Sequence, residues 1–347
     1  MIESSLRHGE PMSVPDPIRP FSRVVRSVAA YGIATALMLV SPLLVFAPAS
    51  LFHCAMRNGR LAAWTAAIVA TGLAGLYFAQ VASASGGSQV KLVYSSFIGI
   101  TLSIAVPSML AIPLVENRRK FGIVLTFALV CSATGLAMTE LIMRAVSFSP
   151  YAVQFTDATN LANRMADANR AVAMQSSMGR TALWLLTHSP QVLPAMILLD
   201  IALVFILSLM MYGRLSAWRA FAKTRVADSE TRRTYLFRNL QLPEWLLFLF
   251  VLGGLTPLLS GIAQEIAANV LAIMICLYIL QGLAIFRSIL VRAGAGYVGG
   301  TLGFFLLGML CLTGIGLVLL AGVGLFDPFF DFRKLNRKDD SHESHTD

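Results

Sequence analysis

The chain has 347 residues, 56% of them hydrophobic and only 13% charged, about half the charged fraction that covers a soluble domain. That excludes a disordered chain and argues against a soluble enzyme: the main solvent of this protein is lipid. Its net charge of +9 falls in short clusters between apolar runs, which read as membrane topology signals rather than as a nucleic-acid surface. Cys54, Cys131, Cys276 and Cys311 all lie inside apolar runs without CxxC spacing, so neither a disulfide framework nor a zinc site is expected.

Residues 1–26, with Pro11, Pro15, Pro17 and Pro20 beside Arg7, Arg19, Arg23 and Arg26, read as a polar, disordered cytoplasmic arm. The apolar stretch starts too late for a cleavable signal peptide, so the N-terminus is expected to be kept. From 28 to 55 there is no charge for 28 residues, about 42 Å as one helix, too long for one crossing and too short for two. Pro42 and Pro48 interrupt this run, and the economical reading is a helix to about Val45 followed by a shorter returning limb. Further spans of about 20 apolar residues are expected at 61–83, 92–114, 121–143, 185–211, 245–262, 266–286 and 297–325.

With the limb returning, loop charges alternate as the positive-inside rule requires. Eighteen Lys and Arg fall inside: the arm, Arg57 and Arg60, the 118–120 turn, the 214–238 stretch, Arg287 and Arg292. Five fall outside: Lys91, Arg144, Arg164, Arg170 and Arg180. Arg333, Lys334, Arg337 and Lys338 conflict with a single last crossing. A second limb near Gly314 and Gly316 would bring that tail back in, and the two readings stay open.

The expected architecture is therefore all-α: a polytopic membrane bundle of about eight to nine segments. A six-crossing core at 27–213 carries an outer loop at 147–181, followed by a basic cytoplasmic linker at 214–241, further membrane helices at 242–326 and a polar tail at 327–347. In the outer loop Leu161, Met165, Ala168 and Val172 recur at helical spacing, the pattern of an amphipathic helix packed as a lid. The linker's arginines suit anionic headgroups.

Motifs for catalysis are lacking. GAGYVG at 294–299 matches the dinucleotide fingerprint in letters, but it lies between membrane helices and reads as close packing, with Gly296/Gly300 and Gly299/Gly303 at GxxxG spacing. His342 and His345 stand in the tail, where two ligands make no metal site. No P-loop, HExxH or GxSxG occurs, so no enzyme, catalytic residue, cofactor or metal is expected.

Polar groups inside spans are the candidates for ligand or proton binding, because charges there are costly to keep. Glu140 sits near the outer interface with Arg144 one turn on, placed to pair. Asn269 lies in the first turns of its helix, and Gln281 in the inner leaflet as a bridge between helices. Asp200 stands about 21 Å from Arg214, near the midplane. Its helical neighbours Met196, Ile197, Leu203 and Val204 cannot satisfy a carboxylate, and Pro194 was the expected opener of a polar cavity, through release of the Pro190 carbonyl.

Three C-terminal strings carry a resemblance: LPEWLL at 242–247, YILQGL at 278–283 after Asn269, and GLFDPFFDFRK at 324–334. The chain resembles the YybS-like family of bacterial membrane proteins. That family in turn is similar, in architecture alone, to the substrate-binding S components of energy-coupling-factor transporters. The resemblance implies no established activity and no vitamin-binding residues. The leading expectation is an inner-membrane subunit, N-terminus cytoplasmic, that binds or helps transport a small molecule with partner membrane proteins or an ATPase module. The rival expectation is a scaffold for cell-envelope assembly.

Overall fold

A computed structural model describes residues 21–86, 88–173, 192–222, 235–312, 315–330 and 332, all of the regular structure among them helical. In chain order the helices are α1 (Phe21–Leu39), α2 (Ala47–Asn58), α3 (Arg60–Ala84), α4 (Ser88–Ile100), α5 (Val106–Glu116), α6 (Phe121–Ala145), α7 (Pro150–Ala173), α8 (Leu193–Ala222), α9 (Leu246–Gly254), α10 (Ile262–Arg292), α11 (Tyr297–Leu312) and α12 (Ile315–Phe330). Five stretches are long and apolar enough to cross a membrane: Arg60–Ala84, Gln89–Glu116, Phe121–Ala145, Leu193–Arg214 and Ile262–Arg292. The bent α11–α12 pair makes a sixth if it counts as one span. The architecture is that of a helical membrane bundle.

The chain turns where its side chains require it. Helix starts at Phe21, so the end of the expected polar arm is helical; residues 1–20 lie outside the described residues. α1 stops at Leu39, earlier than expected, where Ser41 Oγ accepts from Leu43 N at 3.2 Å ahead of Pro42. The short limb does return. Along α1 the positions 27, 31 and 35 bond to 58, 53 and 50 on α2, through Ser27–Asn58 at 2.9 Å, Tyr31–His53 at 2.7 Å and Thr35–Ser50 at 3.0 Å. Rising numbers against falling ones define an antiparallel hairpin. Gly59, at φ 89° with its N–H on Ala55 O, then turns the chain into α3.

α2 is the core of the bundle, packed on α1, α3, α5 and α8, with Leu51, Phe52, Cys54 and Ala55 buried. Every buried residue of α3 is alanine, while Leu61, Ile68 and Leu76 face outward. In lipid, burying a large apolar side chain gains little, so close backbone approach through small residues decides the packing.

Two expected spans differ in form. Residues 245–262 do pass along the bundle: Leu242 meets Gln281 and Gly253 meets Leu271 on α10, again rising against falling numbers. Only nine residues of the passage are α-helix, because Pro257 has no N–H for the Gly253 carbonyl and Thr256 Oγ1 donates there instead, at 2.5 Å. The 297–325 run breaks into α11 and α12, bent by 111°. Leu325, Pro328 and Phe329 share a cavity with Glu244 and Trp245, so α12 ends beside the start of α9, at the end of the bundle marked by Arg119 and Tyr235. A pair bent in this way is either a broken span or a re-entrant loop.

The expected GxxxG crossing is corrected. Around Gly303 the neighbours are Leu290 side-chain atoms, and Gly296 has nothing near. Backbones instead meet at Gly282 and Gly324, where an added Cβ would stand 2.1 Å from Leu320 O and 2.0 Å from Tyr278 O. Asp327 is corrected too: assigned to the polar tail, it lies inside α12 at 2% exposure.

Candidate functional site

The site grows from an irregularity in one helix. Between α4 and α5 the residues Thr101–Ala105 form a π turn, with Val106 N on Thr101 O, five residues back. Pro107 brings no N–H to the carbonyls one turn earlier. Ser132 on α6 supplies a donor there, Oγ to Ser103 O at 2.6 Å. Gly135, one turn on, lets α6 press against the same turn, since a Cβ would lie 2.1 Å from Leu102 O. π turns concentrate at functional sites, and this one borders a cavity.

The cavity holds about 580 Å³ and lies between the π turn, α6, the first turns of α7, and α8. Its apolar wall includes Ile100, Ile104, Leu136, Ile197, Ile201 and Val204. Two carboxylates border it, Glu140 and Asp200, 60 positions apart in sequence. Ser95, Ser96, Ser103, Thr139, Tyr151 and Gln154 complete its polar lining.

The two acids differ in how they are held. Glu140 accepts from Arg144 Nε at 2.8 Å, Ser149 Oγ at 2.5 Å and Tyr151 N at 3.2 Å. It therefore caps the N-terminus of α7, where a negative charge is favoured, and anchors that helix at the cavity rim. Arg144, 63% exposed, is the expected one-turn partner. Asp200 receives no hydrogen bond and no ion pair from the described residues and is exposed in its stretch of the wall.

The expected cause of the cavity is corrected. α8 begins at Leu193, so Pro194 sits in a first turn, where a missing N–H costs nothing. Pro190 and residues 185–189 lie outside the described residues. Asp200 is thus about two turns from its helix start, on the half of the span towards Glu140. The opening owes its form to the π turn and the Gly135 contact instead.

Asn269 and Gln281 stand elsewhere, and both serve the frame. Asn269 Oδ1 accepts from Ala195 N at 3.1 Å, satisfying a first-turn donor of α8, while its Nδ2 donates to Glu265 O. Gln281, fully buried, accepts from Leu242 N at 3.1 Å and donates to Asp327 Oδ2 at 3.2 Å. It joins three segments, as a bridging amide should. At the same end Tyr235 Oη donates to the carbonyls of Val115 and Arg119. Burial and the neighbouring Tyr212 push its hydroxyl well above the ordinary range, so it remains a neutral donor.

α7 corrects the amphipathic reading in part. The helix forms, but its buried positions are Ala162 and Ala166, whereas Leu161 and Met165 are exposed; small residues again make the contact. GAGYVG spans the turn after α10 and the first residues of α11, with Gly294 at φ 66° and no strand beside it among the described residues. The histidines of the tail lie outside the described residues. Sequence reasoning missed the cavity serines and Asp327; in hindsight the signal was Pro107 beside a serine-rich stretch, and an Asp-Pro pair next to small residues. No family model, no curated protein and no solved structure matches the chain.

Proposed function

We propose that this is a small-molecule-binding subunit of a bacterial inner (plasma) membrane, which takes its ligand from the outer side and works with partner membrane proteins or an ATPase module. The single observation that carries the reading is the cavity of about 580 Å³, in the range of small-molecule sites, bordered by a carboxylate on a membrane helix that has no partner among the described residues. Such a group is retained where a ligand or ion uses it.

Sidedness follows from charge. Of the 18 basic residues assigned inside, the 12 among the described residues lie towards the Arg119 end, and the cavity opens towards the Glu140 end, which has few. The N-terminus is then cytoplasmic. Counting α1, α2, α3, α4–α5, α6, α8, α9, α10 and the α11–α12 pair gives nine segments. The resemblance noted in the C-terminal strings adds no activity to this proposal.

The test is direct. Protein is extracted with its native lipid into nanodiscs, and the molecules that copurify are released and identified by mass spectrometry, for wild type and for Ala137→Trp, which fills the cavity. A small molecule present with wild type and absent from the folded variant supports the reading. Identical profiles would reject it.

A further inference from the structure

We infer that the ligand is a small organic cation with an apolar body, its positive charge set against Asp200. This rests on the binding reading above and adds the chemical class. Three features of the cavity point the same way.

The first is charge. Among the described residues the cavity is lined by two carboxylates and by no Lys, Arg or His. Glu140 is already balanced by Arg144 and by the two donors at the start of α7. Asp200 has only apolar side chains one turn away, at Met196, Ile197, Leu203 and Val204. A lone carboxylate in an apolar wall is stabilised by an opposite charge brought to it, and none of the described lining residues supplies that charge.

The second is the direction of the hydroxyls. Ser95 and Ser96 both donate to Leu92 O, at 2.8 and 2.9 Å. Ser103 donates to Gly99 O at 2.6 Å and Thr139 to Gly135 O at 2.9 Å. All four protons are committed to the helices that bear them, and only oxygen lone pairs are left for a ligand. With the carboxylate these four hydroxyls present acceptors, which suit the N–H donors of an ammonium, while Tyr151 and Gln154 are the lining side chains that can also donate.

The third is the rim. Tyr151 borders the cavity, and its hydroxyl is pushed above the ordinary range by burial first and then by the charges of Glu265 and Glu140. Tyr151 thus brings an aromatic ring to the rim, in reach of the two acids' charge, where a cation can meet it. A bare metal ion fits less well: among the described residues no three of His, Cys, Asp and Glu come together. The volume and the six aliphatic wall residues call for an organic body.

Three probes of one shape separate the cases: 4-phenylbutylamine, 4-phenylbutan-1-ol and 4-phenylbutanoate, titrated calorimetrically against the full chain in nanodiscs, with empty nanodiscs to subtract partition into lipid. Wild type should bind the amine about tenfold more tightly than the alcohol, as one charge-assisted contact allows, and the acid most weakly. Asp200→Asn should erase the advantage of the amine over the alcohol, and Asp200→Glu should restore part of it. Asp157→Asn on α7 controls for the loss of a charge, and thermal unfolding confirms that each variant is folded. If amine and alcohol bind equally to wild type, or the preference survives in Asp200→Asn, the cation class is wrong while the binding cavity stands. If none of the three binds wild type, the cavity reading falls with it.

Discussion

At the residue scale, the buried amides decide stability and the exposed acid does not. Gln281 gives an acceptor to Leu242 N and a donor to Asp327, so Gln281→Leu removes one hydrogen bond from each of these two buried groups, about 1–3 kcal/mol each. Asn269→Ala removes one cap from the partly buried first turn of α8, about 1 kcal/mol. Thermal unfolding in a mild detergent should rank Gln281→Leu well below Asn269→Ala, with Asp200→Asn at or above wild type. An Asp200→Asn protein that melts as low as Gln281→Leu would show that the carboxylate has a structural partner after all.

At the element scale, two glycines of the same type in the sequence have opposite duties. Gly135 faces the Leu102 carbonyl, with 2.1 Å for an added Cβ, whereas Gly72 in α3 has nothing within 4 Å. Gly135→Ala must push α6 off the π turn, a strain on the order of 1–3 kcal/mol. Gly72→Ala should stabilise by up to about 1 kcal/mol, through helix propensity. Because Leu136, Ala137 and Thr139 line the cavity beside Gly135, Gly135→Ala should also weaken binding of any cavity ligand, and Gly72→Ala should not. Equal melting shifts for the two would refute the close contact of α6 with the π turn.

The same elements show what could be read from the sequence. Spans bounded by charges were legible within a few residues, as at Arg60, Glu116 and Phe121 after Lys120, since ionic groups mark where lipid ends. The returning limb was legible from Pro42, Pro48 and length alone. The meeting of Glu140 with Asp200 was not, because hydropathy does not tell which faces of α6 and α8 turn towards each other. Nor was the π turn: it depends on a donor, Ser132, that arrives from another helix. The GxxxG spacing misled because two small residues permit a close crossing without supplying the partner backbone.

At the scale of the whole molecule, sidedness joins the charge pattern to the cavity. If the Arg119 end is cytoplasmic, the bundle opens towards the periplasm and α7 lies across that face, held at its start by Glu140. α12 ends beside Trp245, and if the bent pair is a re-entrant loop the tail after it is expected on the side of the N-terminus. In a background with the four cysteines replaced, Asp157→Cys should react with an impermeant thiol reagent in spheroplasts, and Arg119→Cys should react only after lysis. A fluorescent-protein fusion after Asp347 should glow and an alkaline phosphatase fusion there should stay inactive, because the first folds in the cytoplasm and the second needs the periplasm. Inverted cysteine labelling would place the cavity on the cytoplasmic face and remove uptake from outside as its role. An active phosphatase fusion with the expected labelling would be a narrower failure: the α11–α12 pair would then cross once, and the 111° bend would not set the side of the tail.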